Sequence, residues 1–353
     1  MTCCQNWKTD ASWIYFGSGS ADFRNPVQGG NWDDCTFLAA LTSMAWTNPA
    51  SIAVQDAQKT LTYIFYDGGT ITASINNNLL VVDPAATPLC FCGAKSNLFD
   101  SKKEVWPALY EKAYAKYRFY KKGLISTGDL NIATKWPLDA SGNPVSPCTL
   151  TCDEWGGNPV TVLGILTGCQ TQVQRIYQKD GNGMPIRTSP YDLYCAALMS
   201  TYKDSGYADG SYIWQFIKNC FCSTVGWVNK TKKPMVAWTY KNNSYLPSGK
   251  SFSPTGIREN HSYAILGTFT YNKKYYVVLR DPYCLDPSSA TISLATGIYQ
   301  YFNGTADFCP KGVGGFIESP GNKTSLSFGD QDGVFGLEAY ELKTYFEGFG
   351  WIP

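Results

Sequence analysis

The chain of 353 residues carries a formal net charge of +1, with 16% charged and 44% hydrophobic residues. That length allows a large core divided between two lobes. Acidic and basic residues are interspersed and no apolar run reaches bilayer length, so nucleic-acid and membrane partners are not expected. Met1 to Trp13 lacks the charged-then-apolar pattern of a signal peptide, and the expectation is a soluble, cytoplasmic monomer. Sequons at Asn229, Asn242, Asn303 and Asn322 leave secretion open. The 13 cysteines include close pairs such as Cys90 and Cys92, Cys148 and Cys152, and Cys220 and Cys222, none with the gap that zinc knuckles favour. Most of them read as small buried hydrophobes of a reducing compartment.

Taken in chain order, the first predicted element is a helix from Cys35 to Met44, entered from a turn-rich loop that begins at Gln28 and Gly29. Asp34 is its N-cap candidate, which puts Cys35 in the first turn, where the helix dipole favours a thiolate. A packed small residue is the bland reading of the same cysteine. Trp106, Leu109, Tyr110, Ala113 and Tyr117 fall on one face of a second helix. The Pro-, Gly- and Ser-rich stretch from Gly123 to Gly157 reads as a loop or insertion. A third helix is predicted over Tyr212 to Cys222, followed by strands at Pro234–Tyr240, Ser262–Thr270 and Tyr275–Arg280. The pattern is that of an α+β protein, helical in its first half and strand-rich in its second, with a site expected in the cleft between two lobes.

His261 is the single histidine of the chain, so any imidazole chemistry passes through it. The strands on either side of Tyr271-Asn272-Lys273-Lys274 read as a β-hairpin. Its pairing returns the chain near His261 to the neighbourhood of Asp281, within a few residues of register. A carboxylate accepting the Nδ1 proton would fix the ring's tautomer and orientation. A strand end with a turn-forming Asp281-Pro282 explains the same residues without chemistry.

Gln28-Gly29, Asp34-Cys35 and Phe37-Leu38-Ala39-Ala40 resemble the nucleophile segment of calpains, Gln-Gly-x-Leu-Gly-Asp-Cys-Trp-Phe-Leu-Ala-Ala. Val81-Val82-Asp83 through Pro88 resembles the family's strand and turn, and Trp106-Pro107-Ala108-Leu109-Tyr110-Glu111-Lys112-Ala113-Tyr114-Ala115-Lys116 its Trp-x-Ala-Leu-Leu-Glu-Lys-Ala-Tyr-Ala-Lys helix. Leu166-Thr167-Gly168, His261-Ser262-Tyr263, Leu279-Arg280-Asp281-Pro282-Tyr283 and Asp332-Gly333-Val334-Phe335 follow in the family's order. The resemblance implies a papain-like, two-lobed cysteine endopeptidase acting on polypeptides. Residues 1–168 would form a helical lobe with the nucleophile, and residues 169–353 a β-rich lobe with the histidine. By the same resemblance Cys35 is the nucleophile, His261 the general base and acid, Asp281 the orienting residue, and Gln28 an oxyanion donor.

The departures from the family pattern carry expectations of their own. Asp281 replaces an Asn and adds a negative charge beside the ring. Tyr283 replaces a Trp and removes the aromatic that shields the triad in the family. No cofactor is required. The family's calcium sites lose carboxylates here, with Asn25 at an acidic position and Val334 in place of Glu, which leaves Asp332 as a weak calcium candidate. The alternatives from other classes are an inactive calpain-like binding module and a papain-fold acyltransferase such as a transglutaminase.

Overall fold

The first long helix, α1 (Cys35–Thr47), is apolar on nearly every side and lies against the helix Pro159–Thr167 and the short strand Val27–Gln28. A helix of that kind has no solvent face and must be buried. The computed structural model describes residues 33–52, 60–76, 105–176, 211–225, 228–253, 255–271, 273–284 and 333–353, with shorter pieces elsewhere. Several positions singled out in the sequence lie outside the described residues: Gly29, Val82 to Pro88, the sequons at Asn303 and Asn322, and Asp332. The fold is mixed helix and sheet, α+β, in two compact units, Met1–Thr171 and Gln172–Pro353.

In the first unit, α2 (Trp106–Lys121) starts with Pro107 in its opening turn, where the missing N–H costs nothing. The sequence predicts one apolar face, yet the helix is buried on all sides, including Glu111, Lys112 and Lys116. The lysines are tolerated because each amino group meets oxygen acceptors, while burial lowers the pKa of both, that of Lys112 the more. Lys112 Nζ donates to the carbonyl and side-chain oxygens of Asn76 at 2.9 and 2.6 Å. Lys116 Nζ donates to the carbonyls of Ser74 and Ile132, both at 2.8 Å. The bonds to Asn76 and Ser74 fasten α2 to a hairpin, Thr60–Tyr66 with Thr70–Asn76. The Tyr117 hydroxyl donates to Asp67 at the hairpin's tip, 2.6 Å, and Lys121 pairs with the same oxygen at 2.9 Å. On α2's other side Tyr114 stacks on Phe37 of α1, ring centroids 4.7 Å apart. The stretch Gly123 to Gly157 is largely turn, fixed to α2 by Trp136 edge-on to Phe119.

The second unit is built on an antiparallel sheet whose central strands form the long hairpin Ser262–Tyr271 with Lys274–Arg280. Tyr271 pairs with Lys274, and Lys273 at φ 62° supplies the left-handed residue of a tight turn. Val334–Glu338 flanks one side of the hairpin, and Met235–Thr239 followed by Phe346–Trp351 the other. Tyr263, Ile265, Val277, Leu279 and Phe335 share a buried core with residues of the helices Ser211–Phe221 and Ala339–Tyr345.

The hairpin is not regular. Its register shifts between Ile265 and Gly267, so Leu266 is an extra residue in one strand. The same strand changes partners there: Ser262 to Ala264 pair with Met235–Thr239, and Gly267 to Phe269 pair with Val228–Thr231. The buried Thr231 hydroxyl donates to the carbonyl of Leu266 at 3.1 Å and lies 3.4 Å from that of Ile265. It therefore satisfies backbone acceptors that the bulge removes from the ladder. Thr231→Val, equal in shape but without the donor, should lower the unfolding free energy by about 1–2 kcal/mol. Thr231→Ser should recover most of it, as read from urea midpoints at unchanged slope.

Candidate active site

His261 directly precedes the strand Ser262–Tyr271, and its backbone is clamped by Thr239. Its N–H donates to Thr239 Oγ1 at 3.0 Å, and its carbonyl accepts the Thr239 N–H at 3.0 Å. Asn260 before it adopts φ 49°, a left-handed conformation that Asn tolerates better than most residues. With the main chain held, the ring's Nε2 lies 2.8 Å from Asp281 Oδ1, and the two side chains are 5% and 1% exposed. The same Asp281 oxygen accepts the Tyr283 N–H at 2.8 Å. The Asp281 N–H in turn donates to the carbonyl of Gly333, 2.8 Å away.

Gly333 has φ +78°, and a side chain there would place its Cβ 2.4 Å from the Asp281 carbonyl oxygen. Only glycine lets the chain pass this close to the turn that carries the acid.

The ring nitrogen facing Asp281 is Nε2 and not the Nδ1 expected from the sequence. A hairpin sets the backbones' approach but says nothing of which edge of the ring turns inward. The consequence is chemical. When Nε2–H donates to the carboxylate, Nδ1 presents its lone pair, and it has no hydrogen-bond partner among the described residues. That is the arrangement of an oriented base.

Aromatic rings enclose the pair. Tyr263 meets the imidazole edge-on with centroids 5.0 Å apart, and Tyr283 lies beside it at 5.2 Å, tilted by 33°. Tyr283, expected to leave the pair unshielded, covers it, and the Arg258 guanidinium sits 4.1 Å over the Tyr283 ring centroid. Thr239 and Arg258 had no signal in the sequence, because they reach His261 only through sheet pairing and a loop.

In the first unit Cys35 opens α1, is 5% exposed and carries a thiol rather than a disulfide. Gln28 is buried on a short strand paired with Ala94–Lys95. Asp34 occupies the N-cap position, but its carboxyl makes no capping hydrogen bond. It is buried, with the equally buried Glu111 of α2 as its side-chain neighbour. Burial, with Asp33 nearby, pushes the Asp34 carboxyl up to about 8.

Burial pushes the nearby Cys152 thiol the other way from reactivity, up to about 11. Of the five described cysteine thiols only Cys35 and Cys284 are buried, Cys148 and Cys152 being half-buried and Cys169 exposed.

His261 and Asp281 are brought together within the second unit, while Cys35 and Gln28 belong to the first. Asn25 and Val334, the two positions where the sequence loses a carboxylate, are both buried, Val334 on a strand. Among the described residues no group of three or more His, Cys, Asp or Glu side chains is placed to hold a metal, and no helix is long and apolar enough to cross a membrane.

No family model matches the chain. It is 25% identical over 281 residues to a thiol protease of Porphyromonas gingivalis (strain ATCC BAA-308 / W83), a match that covers 75% of this chain and 45% of that protein. The chain thus spans less than half the length of that relative. At this distance the similarity points to the cysteine proteases as a class and does not single out the calpain-like ones.

Asp34 generates a prediction about pH. The folded chain holds its proton up to about 8, whereas the unfolded chain releases it near 3.8. Stability is therefore lost progressively as pH rises between those values and no further above them. The melting-temperature advantage of Asp34→Asn over wild type should widen from about pH 4 to about pH 8 and then stay level. A difference that is constant with pH would contradict a proton held at Asp34.

Proposed function

We propose that the chain is a calpain-like cysteine endopeptidase with the papain-like, two-lobed fold, acting through Cys35, His261 and Asp281. One observation carries this reading: His261 is buried, fixed through Nε2 to Asp281, and keeps Nδ1 without a partner among the described residues. A carboxylate that holds one ring nitrogen leaves the other oriented to act as a base. The distant similarity to a thiol protease supports the same class.

In this reading Nδ1 takes the proton of Cys35 Sγ, and the thiolate attacks the carbonyl carbon of a polypeptide bond. The oxyanion is held by the Cys35 backbone N–H and the Gln28 side-chain amide. Collapse breaks the C–N bond as the imidazolium gives its proton to the leaving amine. Water, deprotonated by His261, then hydrolyses the thioester and restores the thiol. Residues 1–168 would supply the nucleophile and residues 169–353 the base. No cofactor enters, and calcium has at most a weak role because the carboxylates it needs are replaced at Asn25 and Val334.

An epoxide-type thiol-protease inhibitor should label Cys35 selectively, and casein cleavage should fall by about 1,000-fold or more in Cys35→Ala. Both should persist in the presence of a chelator. Selective labelling with intact casein would favour a thiol acyltransferase. A Cys35 no more reactive than the other thiols would leave a binding module.

Asp281→Asn should keep activity within about 10-fold, since an amide oxygen can accept from both His261 Nε2 and the Tyr283 N–H. Asp281→Ala should lose about 100-fold in kcat/KM, having no acceptor to hold the ring. Equal losses in the two variants would mean that the charge, and not the acceptor, is what matters.

A further inference from the structure

We propose that Arg258 gives this site a preference for polypeptides that carry an acidic side chain beside the scissile bond, an inference that rests on the protease reading above. Arg258 is fixed at both ends. Its N–H donates to the Tyr263 hydroxyl at 3.0 Å, and its carbonyl accepts the Thr239 hydroxyl at 2.7 Å. These are the residues that flank and clamp His261, so the guanidinium is registered to the imidazole. The head lies over the Tyr283 ring at 4.1 Å, a cation–π placement that restrains it without using its N–H groups.

Its contact with Asp281 is a loose one, Nε to Oδ2 at 3.8 Å, beyond hydrogen-bond length. The other Asp281 oxygen is occupied by His261 and the Tyr283 N–H. Among the described residues the guanidinium therefore donates no hydrogen bond, while its side chain remains 39% exposed. An arginine kept only to neutralise Asp281 would lie closer and use its fork on the carboxylate. Arg258 instead presents a preoriented, solvent-accessible fork beside the base, a geometry suited to a carboxylate arriving with the substrate.

Cleavage sites are first mapped on denatured casein with the full chain. Quenched peptides built on one such site are then compared with Asp, Asn or Lys at each position flanking the cut. The Asp-over-Asn ratio of kcat/KM should reach about 10 or more at one flanking position, the scale of one charge-assisted hydrogen bond. It should shrink as salt is raised, collapse towards unity in Arg258→Gln, and fall between the two in Arg258→Lys. A wild-type ratio near one at every position, or a preference that survives Arg258→Gln, overturns this inference and leaves the protease standing. Failure to cut casein or any peptide overturns both.

Discussion

The histidine–aspartate pair exists because of one extra residue. From Tyr271 to Gly267 the hairpin pairs regularly, and if that register continued, Asp281 would stand opposite Ala264. Residues opposite each other share a face, and faces alternate along a strand, so Asp281 would then point away from the face of His261. The bulge at Leu266 advances the register by one, and the ladder beyond it pairs Ala264 with Arg280. Asp281 follows opposite Tyr263, on the face that His261 also occupies. A register change of one residue thus decides whether acid and imidazole meet at all. Thr231 at the bulge and Thr239 at the start of the strand are the side chains that hold it.

A comparable constraint shapes the first unit. Glu111, Lys112 and Lys116 are buried on one helix, an arrangement that would be prohibitive without acceptors and protons in the right places. The lysines use carbonyls of the hairpin and of the loop after α2. Glu111 is the side-chain neighbour of Asp34, next to Cys35, whose carboxyl burial pushes up to about 8. Polar burial on α2 and the environment of the candidate nucleophile are therefore parts of one arrangement.

What could be read in the sequence follows from what kind of signal each feature leaves. The hairpin was legible because β-branched runs around a turn are a local pattern, and it brought His261 to within a few residues of Asp281. The bulge left one trace, Gly267 inside a strand pattern, which marks a bulge or a close backbone approach without saying which. The helix at Trp106 was legible in its position, but its apolar face hid the burial of the opposite one, because Glu and Lys read as solvent-facing until their partners are known. Gly333 was visible as part of a motif, though its reason, a backbone passing against Asp281, is a tertiary one. Arg258 left no trace, since its importance comes from Tyr283 and Tyr263, which only the folded sheet places around it.

The departures from the resemblance are linked through these same contacts. An aspartate where the calpain pattern has asparagine puts a formal charge at a site that is almost fully buried, at a cost of several kcal/mol for an unsupported ion. The support present is the imidazole, one backbone N–H, and a guanidinium at 3.8 Å. Tyrosine in place of tryptophan leaves a smaller ring over the pair, and the same guanidinium lies on that ring. One residue, Arg258, thus meets both substitutions, lending positive charge to the aspartate and cover to the smaller aromatic. Aspartate, tyrosine and arginine are thus joined by contact, the guanidinium lying 3.8 Å from the carboxylate and 4.1 Å over the ring centroid.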